Sequence, residues 1–331
     1  MTEHITREPP LFLVTGANGF LASRVVTRLL AAGCKVRGTV RNPEEFRGPA
    51  GLEVVRASLA DRASLARACQ GVDTVLHIAA AMGGSGSALV HSNVVGTRNL
   101  LAAAAEAGVA RFVNVSSLAV YDADFLRSAR VVTEASPLEA RPERRDGYCY
   151  SKVVQERVAV EAAARGGMRL VTLRPGVIYG PGKAGLGSRV GLLHPPVLIR
   201  IGGRRRLPYT FVDNCADAVV AVGLSDQASG IYNIVDDEVP TARQLIEAYR
   251  RTNGKLHVLR VPGLLVGSLS RFVDWYHRWS GGQLPAVMTP IDAVTAWRNL
   301  QYPNDRLKRD TGWRQRVGVD DALRGMTAVV S

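Results

Sequence analysis

The sequence predicts an α/β protein, a doubly wound parallel sheet with a smaller, interleaved C-terminal substrate domain. Three observations predict it. An apolar run at 11–14 stops at a turn bounded by Gly16 and Gly19, ahead of a segment where Val25, Val26, Leu29 and Leu30 recur at helical spacing. Apolar, β-branched runs then alternate with helical segments as far as residue 182, the rhythm of parallel strands joined by helical crossovers. Finally, 331 residues suffice for one large α/β unit and a second, smaller one.

The first strand, turn and helix form a phosphate cradle. Gly16 permits the tight turn and Gly19 lets a pyrophosphate approach the backbone, with the free N–H groups of Asn18, Phe20 and Leu21 and the positive helix end facing it. Ala22 stands where a third glycine would allow close helix–strand packing. Residues 35–40 read as the second strand, whose tip meets the adenosine ribose in such sheets. That tip is Thr39-Val40-Arg41-Asn42; no acidic residue is there to bind a 2′-hydroxyl, and the guanidinium of Arg41 suits a 2′-phosphate. NADP is therefore expected, with NAD possible.

Residues 52–57 give a third strand, followed by Ser58, Leu59 and a helix carrying Leu65, Ala66 and Cys69. Residues 72–81 read as the fourth strand, ending in Ala79, Ala80 and Ala81, small enough for a cofactor to lie against the backbone. His77, inside that apolar run, reads as a packed core histidine. Residues 82–87 read as a flexible loop, 93–107 as a Leu/Ala helix opened by Asn93, and 111–116 as the fifth strand. Beyond Ser116 and Ser117, a helix runs from Tyr148 to about Arg165. Tyr148 and Lys152 are four apart, one turn along the same face, so an ammonium there would favour the ionised phenol. The sixth strand, from Leu170, breaks at Pro175, Gly176 and Val177, the carboxyl end where open sheets bind ligands. The chain then returns through 209–224 and a strand at 231–235, and Thr241 caps a helix at 243–250. Trp275, Trp279 and Trp297 read as core or pocket wall. We assign 1–175 and 209–236 to the dinucleotide-binding domain, and 176–208 and 237–331 to the substrate domain.

Composition narrows the function. Lysines and arginines number 42 against 29 acidic residues, a net charge of +13 carried mostly by arginine. Such a surface suits anions, but the arginines are scattered and lack interleaved aromatics, so a nucleic-acid partner is not expected. Arg204 to Arg206 could contact a phosphorylated substrate or form a solvated loop. Cys34, Cys69, Cys149 and Cys215 have no metal-ligand or disulfide spacing, so reduced, cytoplasmic thiols and no metal are expected. The first residues lack the apolar stretch of a signal peptide, and the run 261–269 is too short to span a bilayer.

Together Thr15-Gly-x-x-Gly-Phe20, Asn93-Val-x-Gly-Thr97, Val115-Ser-Ser117, Tyr148-x-x-x-Lys152, Arg174-Pro-x-x-x-Tyr-Gly-Pro181 and Phe211-Val-Asp213 resemble the extended short-chain dehydrogenase/reductases, the superfamily of the NAD-dependent epimerase/dehydratases with a Rossmann fold. The resemblance covers nearly the whole chain. It implies Tyr148 as acid/base, Lys152 as the group that lowers its pKa and holds the nicotinamide ribose, Ser117 as hydrogen-bond partner of the reacting oxygen, Asn93 in a supporting role, and a homodimer through 92–107 and 148–165. Gly38 to Arg41 and the tail from Leu284-Pro285 to Gly312-Trp313 are similar to the dihydroflavonol-reductase and 3β-hydroxysteroid-dehydrogenase branches. The nucleotide-sugar branch usually has Asn where this chain has Gly176, and its Gly-Asp-Gly-x-x-x-Arg-Asp-Phe run is replaced by Gly202-Gly203-Arg204-Arg205-Arg206. The expected reaction is interconversion of a ketone and a secondary alcohol on a small, largely hydrophobic substrate. The alternatives are a nucleotide-sugar epimerase or dehydratase with tightly held NAD, and a non-catalytic redox-sensing binder.

Overall fold

A computed structural model describes residues 9–183, 186, 190–200, 206–260, 268, 271, 272, 275, 276, 279 and 299–326. Seven parallel strands form the central sheet: β1 (Leu11–Thr15), β2 (Lys35–Val40), β3 (Leu52–Arg56), β4 (Thr74–His77), β5 (Arg111–Val115), β6 (Arg169–Pro175) and, next in the sheet though later in the chain, Gly230–Ile234. In chain order, β7 is Val177–Tyr179, β8 Gly191–His194, β9 Val197–Arg200, β10 Tyr209–Phe211, β11 the Gly230–Ile234 strand and β12 His257–Arg260. The central order is β11-β6-β5-β4-β1-β2-β3, so the direction of winding reverses between β1 and β4. That reversal opens the crevice in which doubly wound sheets bind ligands. Outside this sheet, β10 pairs with β7, and β9 lies between β8 and β12.

Helices cover both faces because each strand alternates two apolar faces. One layer holds α1 (Ala22–Ala31) and α7 (Val212–Leu224), whose Val25, Leu29, Cys215 and Val219 pack with Phe12, Val14, Leu76 and Val113. The other holds α2 (Arg62–Cys69), α4 (Gly96–Glu106) and α6 (Gly147–Gly166), where Leu65, Leu100, Ala104 and Ala159 meet Leu13, Val75 and Phe112. Further helices are α3 (Gly86–Val90), α5 (Ala123–Ser128), α8 (Ala242–Asn253), α9 (Asp305–Thr311) and α10 (Val319–Gly325). Thr241 and Gln244 close a reciprocal capping box at the start of α8, the stop–start signal read at Thr241. All four cysteines are buried and none is in a disulfide among the described residues. No described helix is long and apolar enough to cross a membrane.

Three local expectations are corrected. The fourth strand ends at His77, not Ala81, because the N–H groups of Ile78 and Ala79 leave the ladder and donate to the Thr15 hydroxyl, each at 3.0 Å. The helix read from Asn93 starts earlier, at Gly86, with the Ser85 hydroxyl capping it; a π-helical turn at His91–Val95 joins α3 to α4 and carries Asn93. Trp275 and Trp279 are not core: they are 55% and 70% exposed, and with Phe272 and Tyr276 they recur at helical spacing and stack on one another. Trp297 and residues 204 and 205 lie outside the described residues.

On the α6 side of the sheet, the Arg174 guanidinium donates to Glu156 through Nε (3.0 Å) and Nη2 (2.7 Å) in a buried pair, and lies over the Tyr121 ring. Removing one partner strands the other charge out of water. Arg174→Met should therefore cost about 3–5 kcal/mol in urea unfolding. The double variant Arg174→Met/Glu156→Leu should recover most of that loss, and a single variant no less stable than the double would contradict the account.

Candidate active site

The cradle is built by backbone. Gly16 takes φ +65°, open to glycine at little cost, and a Cβ there would come within 3.1 Å of Ala79 Cβ. Its N–H donates to Thr39 Oγ1, the Ala17 N–H donates to Thr39 O, and the Gly19 N–H donates back to Gly16 O. The N–H groups of Asn18, Phe20 and Leu21 take no partner among the described residues. No side chain caps α1, and its first turn carries no acidic residue. A helix N-terminus left in this state fits a diphosphate. Arg24 braces the turn: it donates to Phe20 O and Pro181 O, both at 2.8 Å, and covers the Phe20 ring. Asp213 of the Phe211-Val-Asp213 motif serves this same brace, pairing with Arg28 at 2.8 Å and Arg24 at 3.5 Å.

Other expected contact residues gather around this cradle. Leu59 crosses so close to α4 that a Cβ on Gly96 would sit 2.7 Å from its own, and Asn99 donates to its carbonyl at 2.9 Å. The Ser58 N–H donates to Ser64 Oγ. Arg41 stands exposed just past β2, with no hydrogen bond or ion pair among the described residues. Ser116 Oγ, at the end of β5, is buried without a partner, an orphaned polar atom on the ligand-bearing edge. Such a set of free donors fits a nicotinamide dinucleotide.

Asn93 joins two walls of the crevice. Its Oδ1 accepts from the Ala81 N–H at 2.8 Å, and its Nδ2 donates to Ala81 O and Ser151 Oγ, both at 3.0 Å. Ser151 in turn donates to Tyr148 O at 2.8 Å. The strip Ala79–Ala81 is thereby tied to the helix that carries Tyr148. Ser117 begins a 3₁₀ turn, its hydroxyl accepting from the Ala119 N–H at 3.2 Å and engaging the Tyr148 phenol in a hydrogen bond.

The relation between Tyr148 and Lys152 differs from the expectation. The Lys152 ammonium, buried, donates to Val115 O and Gln155 Oε1, both at 2.9 Å. Burial pushes the Tyr148 phenol up to about 12, with the Ser117 hydrogen bond opposing and Asp146 reinforcing the rise; the lysine is not among the groups that act on it. Burial lowers Lys152 to about 8, against a smaller opposite effect of Glu156. Desolvation outweighs the pair attraction that helical spacing alone suggests.

His77, Thr97, Ser151 and Gln155 were not singled out as site residues by sequence. The quoted Asn93-Val-x-Gly-Thr97 motif contained Thr97, and the three-residue step from Lys152 to Gln155, again along one helix face, could have flagged a second of them. Thr15 Oγ1 already accepts two N–H groups, so its proton goes to His77 Nδ1 at 3.0 Å. Nε2 then carries the ring proton and donates to Thr97 Oγ1 at 2.8 Å, while Thr97 donates to Asn93 O at 2.6 Å. The ring is a satisfied core histidine, and burial beside Lys152 lowers it to about 3.

Comparison with known proteins follows the same lines. The sequence profile of the NAD dependent epimerase/dehydratase family matches residues 12–235. Cinnamoyl-CoA reductase 1 of Petunia hybrida is 38% identical over 180 residues, 51% of this chain and 54% of that protein, so the chain spans about half the length of this relative. The 3 beta-hydroxysteroid dehydrogenase/Delta 5-->4-isomerase of Mycobacterium tuberculosis is 32% identical over 340 residues, 96% of this chain and 90% of that protein. Among solved structures, DesIV, a dTDP-glucose 4,6-dehydratase from Streptomyces venezuelae with NAD and TYD bound, shares the fold at a TM-score of 0.71 and 24% identity, covering 96% of this chain and 95% of that one.

The histidine gives a pH prediction. Its folded pKa lies below the ordinary value of 6.5, so its contribution to stability is complete above about pH 6.5 and is lost as pH falls toward 3. In ring-nitrogen NMR, His77 should show the Nε2–H tautomer and no titration between pH 5 and 9. A midpoint near its ordinary value would mean that the ring is open to water.

Proposed function

The chain belongs to the NAD dependent epimerase/dehydratase family, and from that premise we propose an NADP(H)-dependent oxidoreductase that interconverts a ketone and a secondary alcohol on a small, largely hydrophobic substrate. The observation that carries the choice of reaction class is at Gly176. A Cβ built there would lie 2.2 Å from Pro208 O, whose carbonyl also accepts the Val177 N–H at 2.9 Å. The backbone thus closes the position from which nucleotide-sugar relatives usually extend an asparagine. Relatives named as a reductase and a dehydrogenase support the same reading.

A bound nicotinamide supplies or accepts the hydride at the substrate carbon. Tyr148 gives the oxygen its proton in the direction of reduction and removes it in reverse; a phenol held up to about 12 keeps that proton at neutral pH. Ser117, whose hydroxyl engages the Tyr148 phenol, turns its O–H to the same substrate oxygen and stabilises the negative charge that develops there. Lys152, with one donor not taken by Val115 O or Gln155 Oε1, would hold the ribose of a bound cofactor. Asn93 holds the nicotinamide wall through Ala81. Domain boundaries at 175–176, 208–209 and 236–237 go with this reading, as does a homodimer through α4 and α6, where Val160 is 59% exposed.

Three measurements test the proposal. Tyr148→Phe should lower carbonyl reduction by about a hundredfold or more while NADPH affinity stays within a few-fold; unchanged turnover would sink the assignment. Arg41→Ala should weaken NADP binding about ten- to a hundredfold and leave NAD almost untouched, with both dissociation constants measured at one salt concentration. Equal losses for the two cofactors would overturn the NADP reading. Stoichiometric NAD released on denaturing the freshly purified protein would favour a closed epimerase cycle instead.

A further inference from the structure

The Lys152 ammonium has two acceptors inside the protein. One is a strand carbonyl, Val115 O, and the other is the side-chain amide oxygen of Gln155, three residues along α6. Gln155 is wholly buried, and its amide is held at the far end as well, where Nε2 donates to Thr97 Oγ1 at 3.0 Å. Thr97 also accepts from His77, and His77 accepts from Thr15 at the end of β1. An unbroken hydrogen-bonded chain therefore runs Thr15–His77–Thr97–Gln155–Lys152, from the strand that ends in the glycine turn to the lysine of the site.

We propose that Gln155 is a positioning residue for Lys152: a neutral amide, clamped by Thr97, that fixes the ammonium against Val115 O and leaves its third proton for the cofactor. The residue suits this task because it both accepts and donates. An apolar side chain would leave one ammonium proton without an acceptor in a buried site, and a carboxylate would add a full charge beside the lysine. Of the charged and titratable groups near Lys152, Glu156 acts on it through its charge and raises its pKa against burial. On α6, Glu156 is committed to Arg174 of β6, and Tyr148 is held protonated; on β4, His77 is neutral. α4 offers only the hydroxyl of Thr97. The cofactor role of Lys152 comes from the proposed function, whereas its clamping by Gln155 can be read without any cofactor.

The test uses the whole chain labelled with ¹³C at the lysine Cε, which gives five signals for the five lysines of the sequence, with Lys152→Met identifying one of them. In the ligand-free wild type that signal is expected to titrate near pH 8. Gln155→Leu should move its midpoint down, and Gln155→Glu should move it up, each by about one pH unit, while the other four signals stay in place. Thr97→Val, which frees the far end of the amide, should move it in the same direction as Gln155→Leu. A side chain that merely fills space would change thermal stability without moving the midpoint. Midpoints within about 0.3 of wild type in the folded variants would overturn the proposal; the near-isosteric Gln155→Glu decides the matter by itself where Gln155→Leu does not fold. NADPH titration at pH 7 gives an independent arm, with Gln155→Leu expected to weaken affinity about five- to tenfold through the lost charge-assisted contact. Failure of the wild type to bind NADPH would overturn the cofactor reading and leave the lysine titration to judge Gln155.

Discussion

The hydroxyl of Thr15 is the contact on which the ligand-bearing edge depends. It sits at the last residue of β1 and accepts the N–H groups of Ile78 and Ala79, which ends β4 and peels the chain away from the sheet. The peeled strip brings Ala79 against Gly16, close enough to exclude a side chain there. Asn93 then takes hold of Ala81 through both ends of its amide, and Ser151 passes the connection to Tyr148 O. One buried hydroxyl thus sets the distance between the glycine turn and the helix that carries Tyr148. A buried hydroxyl that accepts two bonds and donates one has no unmet capacity, so the arrangement has no cheap alternative.

Polar groups under α4 and α6 are concentrated in a layer where an ordinary domain would place aliphatic side chains. His77, Asn93, Thr97, Ser151, Lys152 and Gln155 are all buried, and each has a partner. Burying these groups costs stability that a hydrocarbon core would not, and complete pairing offsets it. The apolar layers on either side, through Leu13, Phe112 and Leu100 and through Phe12, Val14 and Leu29, supply the driving force. A network of this kind holds its members in one arrangement, which a hydride-transfer site needs more than it needs maximal stability.

Desolvation also decides the electrostatics of the site. Tyr148 is raised and Lys152 lowered mainly by desolvation, the lysine being fully buried and the phenol partly so. Each is thereby moved toward its neutral form, the protonated phenol and the free amine. The neutral acceptors around the lysine, a carbonyl and an amide, restrain its position without cancelling that effect.

The sequence by itself determined the order of strands and helices as far as β6, the glycine turn, the return of the chain through α7 and β11, and the one-turn relation of Tyr148 to Lys152. These features are legible because hydrophobic periodicity and glycine chemistry are local. Tertiary structure decided the rest. The end of β4 was set by a hydroxyl 62 residues away from His77 in the chain, which no window of sequence contains. The orientation of Lys152 was set by Val115 O from a neighbouring strand together with Gln155, so spacing located the ammonium but not its direction. The closure of Gly176 was likewise set by Pro208, from a different part of the chain. Trp275 and Trp279 show the limit from the other side: their aromatic character suggested core or pocket wall, but only packing determines whether a side chain meets the core or solvent, and both are exposed.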